Sequence, residues 1–221
     1  MKIQNQLIRV NPYSRPGTKI TPTKVIVHYV GNPGSTAQNN RDYFDNLATT
    51  HAAYVSAHYV VGLHGEVIRC IPEEEISYGA SEGNKYGINI EVCHPDKTGK
   101  FSAVTEEALA ELAADICKRR GFDPGKDVIR HYDVTGKKCP LWYVEHPEAW
   151  LTFRERVRAL VNPPQPDKLY RVQVGAFGVK ANAERLAKEL KEKATALSSY
   201  EIKKTGRPPH HAELGVRSFC N

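Results

Sequence analysis

The run Lys24-Val-Ile-Val-His-Tyr-Val30 constrains this chain more than any other segment. It is β-branched and apolar without polar alternation, so it reads as a strand buried in a sheet. A buried strand needs covering elements, and the flanking sequence supplies them. Gly31-Asn-Pro-Gly34 breaks the run. Ser35 is read as the N-cap of a helix to about Thr49, with Tyr43, Phe44 and Leu47 as its apolar face. Ala57–Val61 and Glu66–Cys70 then flank Leu63-His64-Gly65, a hairpin turn in which Gly65 can take positive φ. Ile88–Cys93 is a further strand, and Val128-Ile129 a short one.

Thr105 to Arg120 is the clearest helix. Acidic residues open it, basic residues close it, Gly121 stops it, and Leu109, Leu112, Ala113 and Ile116 recur at helical spacing. A last helix runs from His146 to about Val161. Strands and helices mix throughout, which predicts an α/β fold, a mixed central β-sheet flanked by helices.

Asn162-Pro-Pro-Gln-Pro-Asp167 reads as an extended linker. It divides the chain into a unit at 1–161, a linker at 162–168 and a small α+β unit at 169–221. In the latter, Tyr170–Phe177 alternates like a half-buried strand, Ala181 to about Ala196 is an amphipathic helix, and Ser199–Lys204 is read as a second strand.

With 221 residues and a net charge of +6 the chain favours an anionic partner. No helix gathers Lys and Arg with interleaved aromatics, so nucleic acid is discounted. No apolar run is long enough to span a membrane, and the N-terminus lacks the apolar core of a signal peptide. Five cysteines without a CxxC pair are not a disulfide framework. Cys70, Cys93 and Cys117 read as small buried hydrophobes. No heptad pattern speaks to the oligomeric state.

His28 ends the first strand. Alone, such a histidine reads as a hydrogen-bonded core residue. His131 and Cys139 change that reading. They lie across the Gly-containing loop Val134-Thr-Gly136, which can fold back and bring both side chains to one ion. Two imidazoles and a thiolate suit zinc rather than magnesium or calcium, and three ligands leave one position open for water.

Four segments carry a resemblance. Lys24-Val-Ile-Val-His28-Tyr, Ser56-Ala-His58-Tyr-Val-Val, Gly87-Ile-Asn-Ile-Glu91-Val-Cys and His131-Tyr-Asp-Val-Thr-Gly-Lys137-Lys-Cys139-Pro occur in that order over roughly residues 20–160. Together they resemble the type-2 N-acetylmuramoyl-L-alanine amidases. These are the zinc amidases of phage endolysins and bacterial cell-wall hydrolases, related in fold to peptidoglycan recognition proteins. The resemblance implies Zn2+ held by His28, His131 and Cys139, Glu91 as general base or water-orienting group, and Lys137 as stabiliser of the oxyanion. Some members place a tyrosine just before the histidine of the hairpin strand. Ala57 stands there, which moves the burden to Glu91 and Lys137.

The implied reaction cuts the amide between N-acetylmuramic acid and L-alanine in peptidoglycan. A non-catalytic recognition module and a zinc peptidase acting within the stem peptide are the alternatives. An enzyme of this kind, lacking a signal, stays cytoplasmic until released onto the wall. His58 is read first as a satisfied structural residue, second as a pocket or hydrogen-bonding residue behind the site. His51 and His64 are read as surface residues, and His94 as exposed.

Leu169-Tyr-Arg-Val-Gln-Val-Gly-Ala-Phe177 with the following helix is similar to the opening of SPOR-type domains, which bind peptidoglycan glycan strands stripped of stem peptides. The second half of such a domain is not recognisable, so the unit reads as incomplete. His210-His211 reads as part of a polar tail.

Overall fold

The computed structural model describes residues 2–163 and 178–205. The chain divides into two compact units, Met1–Pro164 and Gln165–Asn221.

In the first unit the elements run β1 (Ile3–Asn5), β2 (Lys24–Val27), α1 (Ala37–Thr50), β3 (Tyr59–Val61), β4 (Val67–Arg69), β5 (Gly87–Val92), α2 (Ala103–Arg120), α3 (Pro124–Asp127), β6 (Val128–Arg130), α4 (His131–Thr135), α5 (Leu141–Glu145) and α6 (Pro147–Val161). One six-stranded sheet has the order β1-β4-β3-β5-β2-β6. β3, β5, β2 and β6 are mutually parallel, β3 and β4 form an antiparallel hairpin, and β1 joins β4 in parallel. The sheet is therefore mixed, as the sequence predicts. Gly65 turns the hairpin at φ +80°.

Helices cover both faces. Val25, Val27, Tyr59, Val61, Ile88, Ile90, Val92 and Val128 form a core with α2 and α6, including Leu109, Leu112, Ile116, Trp150 and Phe153. Each large aliphatic side chain buried there contributes roughly 1.5–3 kcal/mol. On the other face Val60, Ile68 and Cys70 pack with Ala37 and Phe44 of α1. The alternation of β5 thus sends Ile88, Ile90 and Val92 into one core and leaves Asn89 and Glu91 on the opposite side. The main contacts of α1 are with β3 and β4, and a 3-10 turn at Ser81–Lys85 lies against β5 and α4.

Three local expectations are corrected. Thr36, not Ser35, caps α1: its hydroxyl accepts from the Asn39 amide and the Asn39 side chain answers, a reciprocal box that Ser35 is one residue too early to form. Phe44 and Leu47 are buried, whereas Tyr43 is 48% exposed, because it lies one residue off the stripe that meets the sheet. In the second unit Ser199–Lys204 is not a strand. Helix α7 spans Lys180–Thr205 and includes it, extending a run of good helix formers with no breaker. The expected strand at Tyr170–Phe177 and the tail from Gly206, with His210-His211, lie outside the described residues.

Cys70, Cys93 and Cys117 are buried free thiols, as expected, and burial pushes each up to about 12.

Candidate metal centre

The carboxyl ends of parallel strands are where open α/β sheets gather ligands, and the predicted residues lie there. His28 follows β2 directly, with its amide donating to the Ile90 carbonyl at 2.9 Å. Val27 pairs with Ile90 on one side and Arg130 on the other, so the next residues along, Glu91 and His131, come to the same level as His28.

His131 opens α4. Asp133 fixes that turn, accepting from the Arg130 amide at 2.9 Å and from its guanidinium at 2.7 Å. Gly136, at φ +76°, ends α4 and reverses the chain. The Tyr132 amide then bonds the Cys139 carbonyl at 2.9 Å, which returns Cys139 to His131.

The structure brings His28, His131 and Cys139 together, with one ligand atom of each within 4.8 Å of the others. The two Nδ1 atoms are 3.1 Å apart, and Cys139 Sγ is 3.9 Å from His28 Nδ1. Tetrahedral zinc at its usual bond lengths sets N,N and N,S donors roughly 3.3–3.6 Å apart. The donor set and its spacing fit such an ion. All three side chains are buried.

The electrostatics agree with that fit. Burial, with His131 beside it, lowers His28 to about 3, and burial also lowers His131, so both rings are neutral. Burial and the nearby Glu91 push the Cys139 thiol up to about 12. A thiolate there needs a cation beside it.

Glu91 stands on the same sheet face, and its Oε2 is buried without a hydrogen-bond partner. Burial raises it to about 8, against the pull of Lys137. Lys137 is solvent-exposed, and its positive charge acts on His28, His131, Glu91 and Cys139. Ala57 is buried and offers no hydroxyl.

His51 and His64 are exposed, as expected. His94 is not: it is 1% exposed, with Nε2 2.8 Å from the Val30 carbonyl and Nδ1 2.6 Å from that of Asp96. It ties the end of β5 to the segment after His28, a role its position after a strand does not announce. His58 is fully buried and hydrogen-bonded at both ring nitrogens. Sequence reasoning missed Asn89, which accepts a hydrogen bond from His28 Nε2 at 2.9 Å. The available signal was its alternation with Glu91 in an otherwise apolar strand.

The N-acetylmuramoyl-L-alanine amidase family profile matches residues 18–142, and the SPOR domain profile matches residues 166–208. An N-acetylmuramoyl-L-alanine amidase of Bacillus licheniformis, CwlL, is 37% identical over 176 residues, covering 73% of this chain and 48% of that protein. Another, BlyA of Bacillus subtilis, is 35% identical over 176 residues, covering 70% of this chain and 46% of the relative. The chain thus spans about half the length of these curated relatives. The solved catalytic domain of XlyA superposes with a TM-score of 0.61 at 26% identity, over 71% of this chain and 99% of that domain. Since the profile spans more than half of the sequence and includes both segments that converge on the histidine and cysteine cluster, the chain belongs to the N-acetylmuramoyl-L-alanine amidase family.

Proposed function

We propose that this chain hydrolyses the amide between N-acetylmuramic acid and L-alanine in peptidoglycan. The observation that carries the reading is the buried His28, His131 and Cys139 cluster beside an unpartnered carboxylate oxygen of Glu91. In this reading His28, His131 and Cys139 hold Zn2+. When bound, the ion supplies a Lewis acid for the scissile carbonyl and makes a water acidic enough to react near neutral pH.

The chain's own residues do the rest. Glu91 takes the water's proton and returns it to the leaving L-alanine nitrogen, so one group serves as base and then acid. Burial, set against the pull of Lys137, leaves this carboxyl near 8, close enough to neutral pH for that exchange. Lys137 opposes the charge that grows on the carbonyl oxygen. The carboxyl ends of β2, β5 and β6 hold His28, Glu91 and His131 on rigid elements, which limits their reorganisation during the reaction.

The proposed division is a catalytic unit at 1–161, a linker at 162–168 and a SPOR-like unit at 169–221, supported by the SPOR profile match. Such a unit would hold the enzyme on the denuded glycan that its own reaction leaves. Peptidoglycan is thus the proposed partner of both units. Among the described residues no helix is long and apolar enough to cross a membrane.

Digestion of purified peptidoglycan tests the reading. New L-alanine amino termini with free lactyl carboxylates are expected. New amino termini on other residues would mark a stem-peptide peptidase, and zinc-dependent binding without products a recognition module.

A further inference from the structure

A chain of buried hydrogen bonds stands behind His28. Its Nε2 lies 2.9 Å from Asn89 Oδ1. Asn89 Nδ2 donates to Ser77 Oγ at 2.8 Å, and the Asn89 backbone amide donates to His58 Nδ1 at 2.9 Å. Ser77 Oγ is itself 3.0 Å from His58 Nδ1, and His58 Nε2 is 2.8 Å from the Glu75 carbonyl oxygen. His28, His58, Ser77 and Asn89 are all at most 1% exposed, so water does not compete for these contacts.

Only one arrangement of hydrogens satisfies every link. The Glu75 carbonyl can only accept, so His58 Nε2 carries the hydrogen. His58 Nδ1 receives the Asn89 amide, so it is bare. Ser77 Oγ, 3.0 Å from that bare nitrogen, turns its single hydrogen toward it and shares the one lone pair with the Asn89 amide, because an oxygen lone pair there would face a nitrogen lone pair. Ser77 then has none left for Asn89, and the Asn89 NH2 must face Ser77. That orientation turns Asn89 Oδ1 toward His28, and His28 Nε2 must donate. Its Nδ1 lone pair is left pointing to His131 and Cys139. The far end is clamped as well: the Glu75 carboxylate is bound by Arg15 at 2.8 Å and Lys19 at 3.3 Å.

We infer that Ser77, His58 and Asn89 form a proton-ordered relay, anchored on the Glu75 carbonyl, that locks His28 in the Nε2-H tautomer with Nδ1 presented to the metal. They are positioning residues, and they act before any ion arrives. The inference rests on the reading of His28 as a zinc ligand. Partners of this kind behind a metal-bound histidine are worth about 10–100-fold in metal affinity.

The test uses the full chain. Two-bond 1H–15N spectra of the metal-free protein report which ring nitrogen of His28 carries hydrogen. Competition with a chromophoric chelator reports zinc affinity. Wild type is expected to show His28 as Nε2-H. Ser77→Ala frees the Asn89 amide to flip and is expected to mix the two tautomers and weaken zinc about tenfold. Asn89→Leu, which keeps shape and removes the acceptor, should weaken zinc about 10–100-fold, while Asn89→Asp, which keeps an acceptor, should restore it to within about threefold. A wild-type Nδ1-H tautomer overturns the relay. So does unchanged zinc affinity in Asn89→Leu with a wild-type melting temperature. If Asn89→Leu does not fold, the wild-type tautomer and the Ser77→Ala affinity decide. Wild type that shows the Nε2-H tautomer yet takes up no zinc would instead overturn the ligand role of His28, and the relay with it.

Discussion

The Nδ1 atoms of His28 and His131 sit 3.1 Å apart across 103 residues of sequence. Two imidazole nitrogens at that separation either share a hydrogen or converge on a cation. The His28 ring already directs its Nε2 toward Asn89, so its Nδ1 is the acceptor in either case.

Cys139→Ser tests the cluster directly. A hydroxyl is a harder and shorter donor than a thiolate, so zinc affinity should fall by more than about 100-fold, beyond what loss of a supporting hydrogen bond causes. Metal content after gel filtration, and loss of the thiolate charge-transfer band on cobalt substitution, check it. Unchanged metal content would displace Cys139 from the ligand set.

Glu91→Gln preserves shape and removes the base. Turnover on purified peptidoglycan should fall by about 10²–10⁴ while zinc content stays the same. Undiminished turnover would remove Glu91 from the chemistry. Since the change also relieves a buried carboxyl with an unpartnered oxygen, the melting temperature of the metal-free variant should rise rather than fall.

Lys137→Met should lower turnover by about 10²–10³ with little change in stability, because the residue is exposed and acts through its charge. Lys137→Arg should recover part of the loss, and equal activity of all three proteins would exclude the oxyanion role.

Acid should destabilise the metal-free fold in part through His58, which burial lowers from 6.5 to about 4. The unfolded chain takes up this proton below about pH 6.5, whereas the folded chain refuses it until about pH 4. The stability is present above 6.5 and is lost as pH falls between those values, about 3 kcal/mol for the full shift at 1.36 kcal/mol per unit. Urea unfolding at stepped pH should show this slope, and His58→Gln should flatten it.

Glu73 tests the opposite face of the sheet. It is 2% exposed and bound by Arg119, Arg120 and Tyr59. Burial alone would raise its carboxyl, but these hydrogen bonds hold it down at about 2. Its contribution is present above its ordinary value of 4.5 and is lost as pH falls toward 2. Glu73→Gln should cost about 2–3 kcal/mol by urea unfolding, below the usual figure for a fully buried pair because both arginines are partly exposed.

By itself the sequence determined the elements whose signals are local. The β-branched run of β2, the hairpin around Gly65, the capped period of α2 and the alternation of β5 are all written within a few residues of one another, and so is the return of Cys139 to His131 around Gly136. What lay beyond its reach depends on partners far along the chain. The burial of His94 and the exposure of Tyr43 follow from which strand or helix lies opposite. The relay from Glu75 to His28 joins four chain segments through side chains that look ordinary in isolation. Only the parallel pairing of β2 with β5 and β6 decided that His28, Glu91 and His131 share one level and one face. Register is a property of strand pairs, and no single strand encodes it.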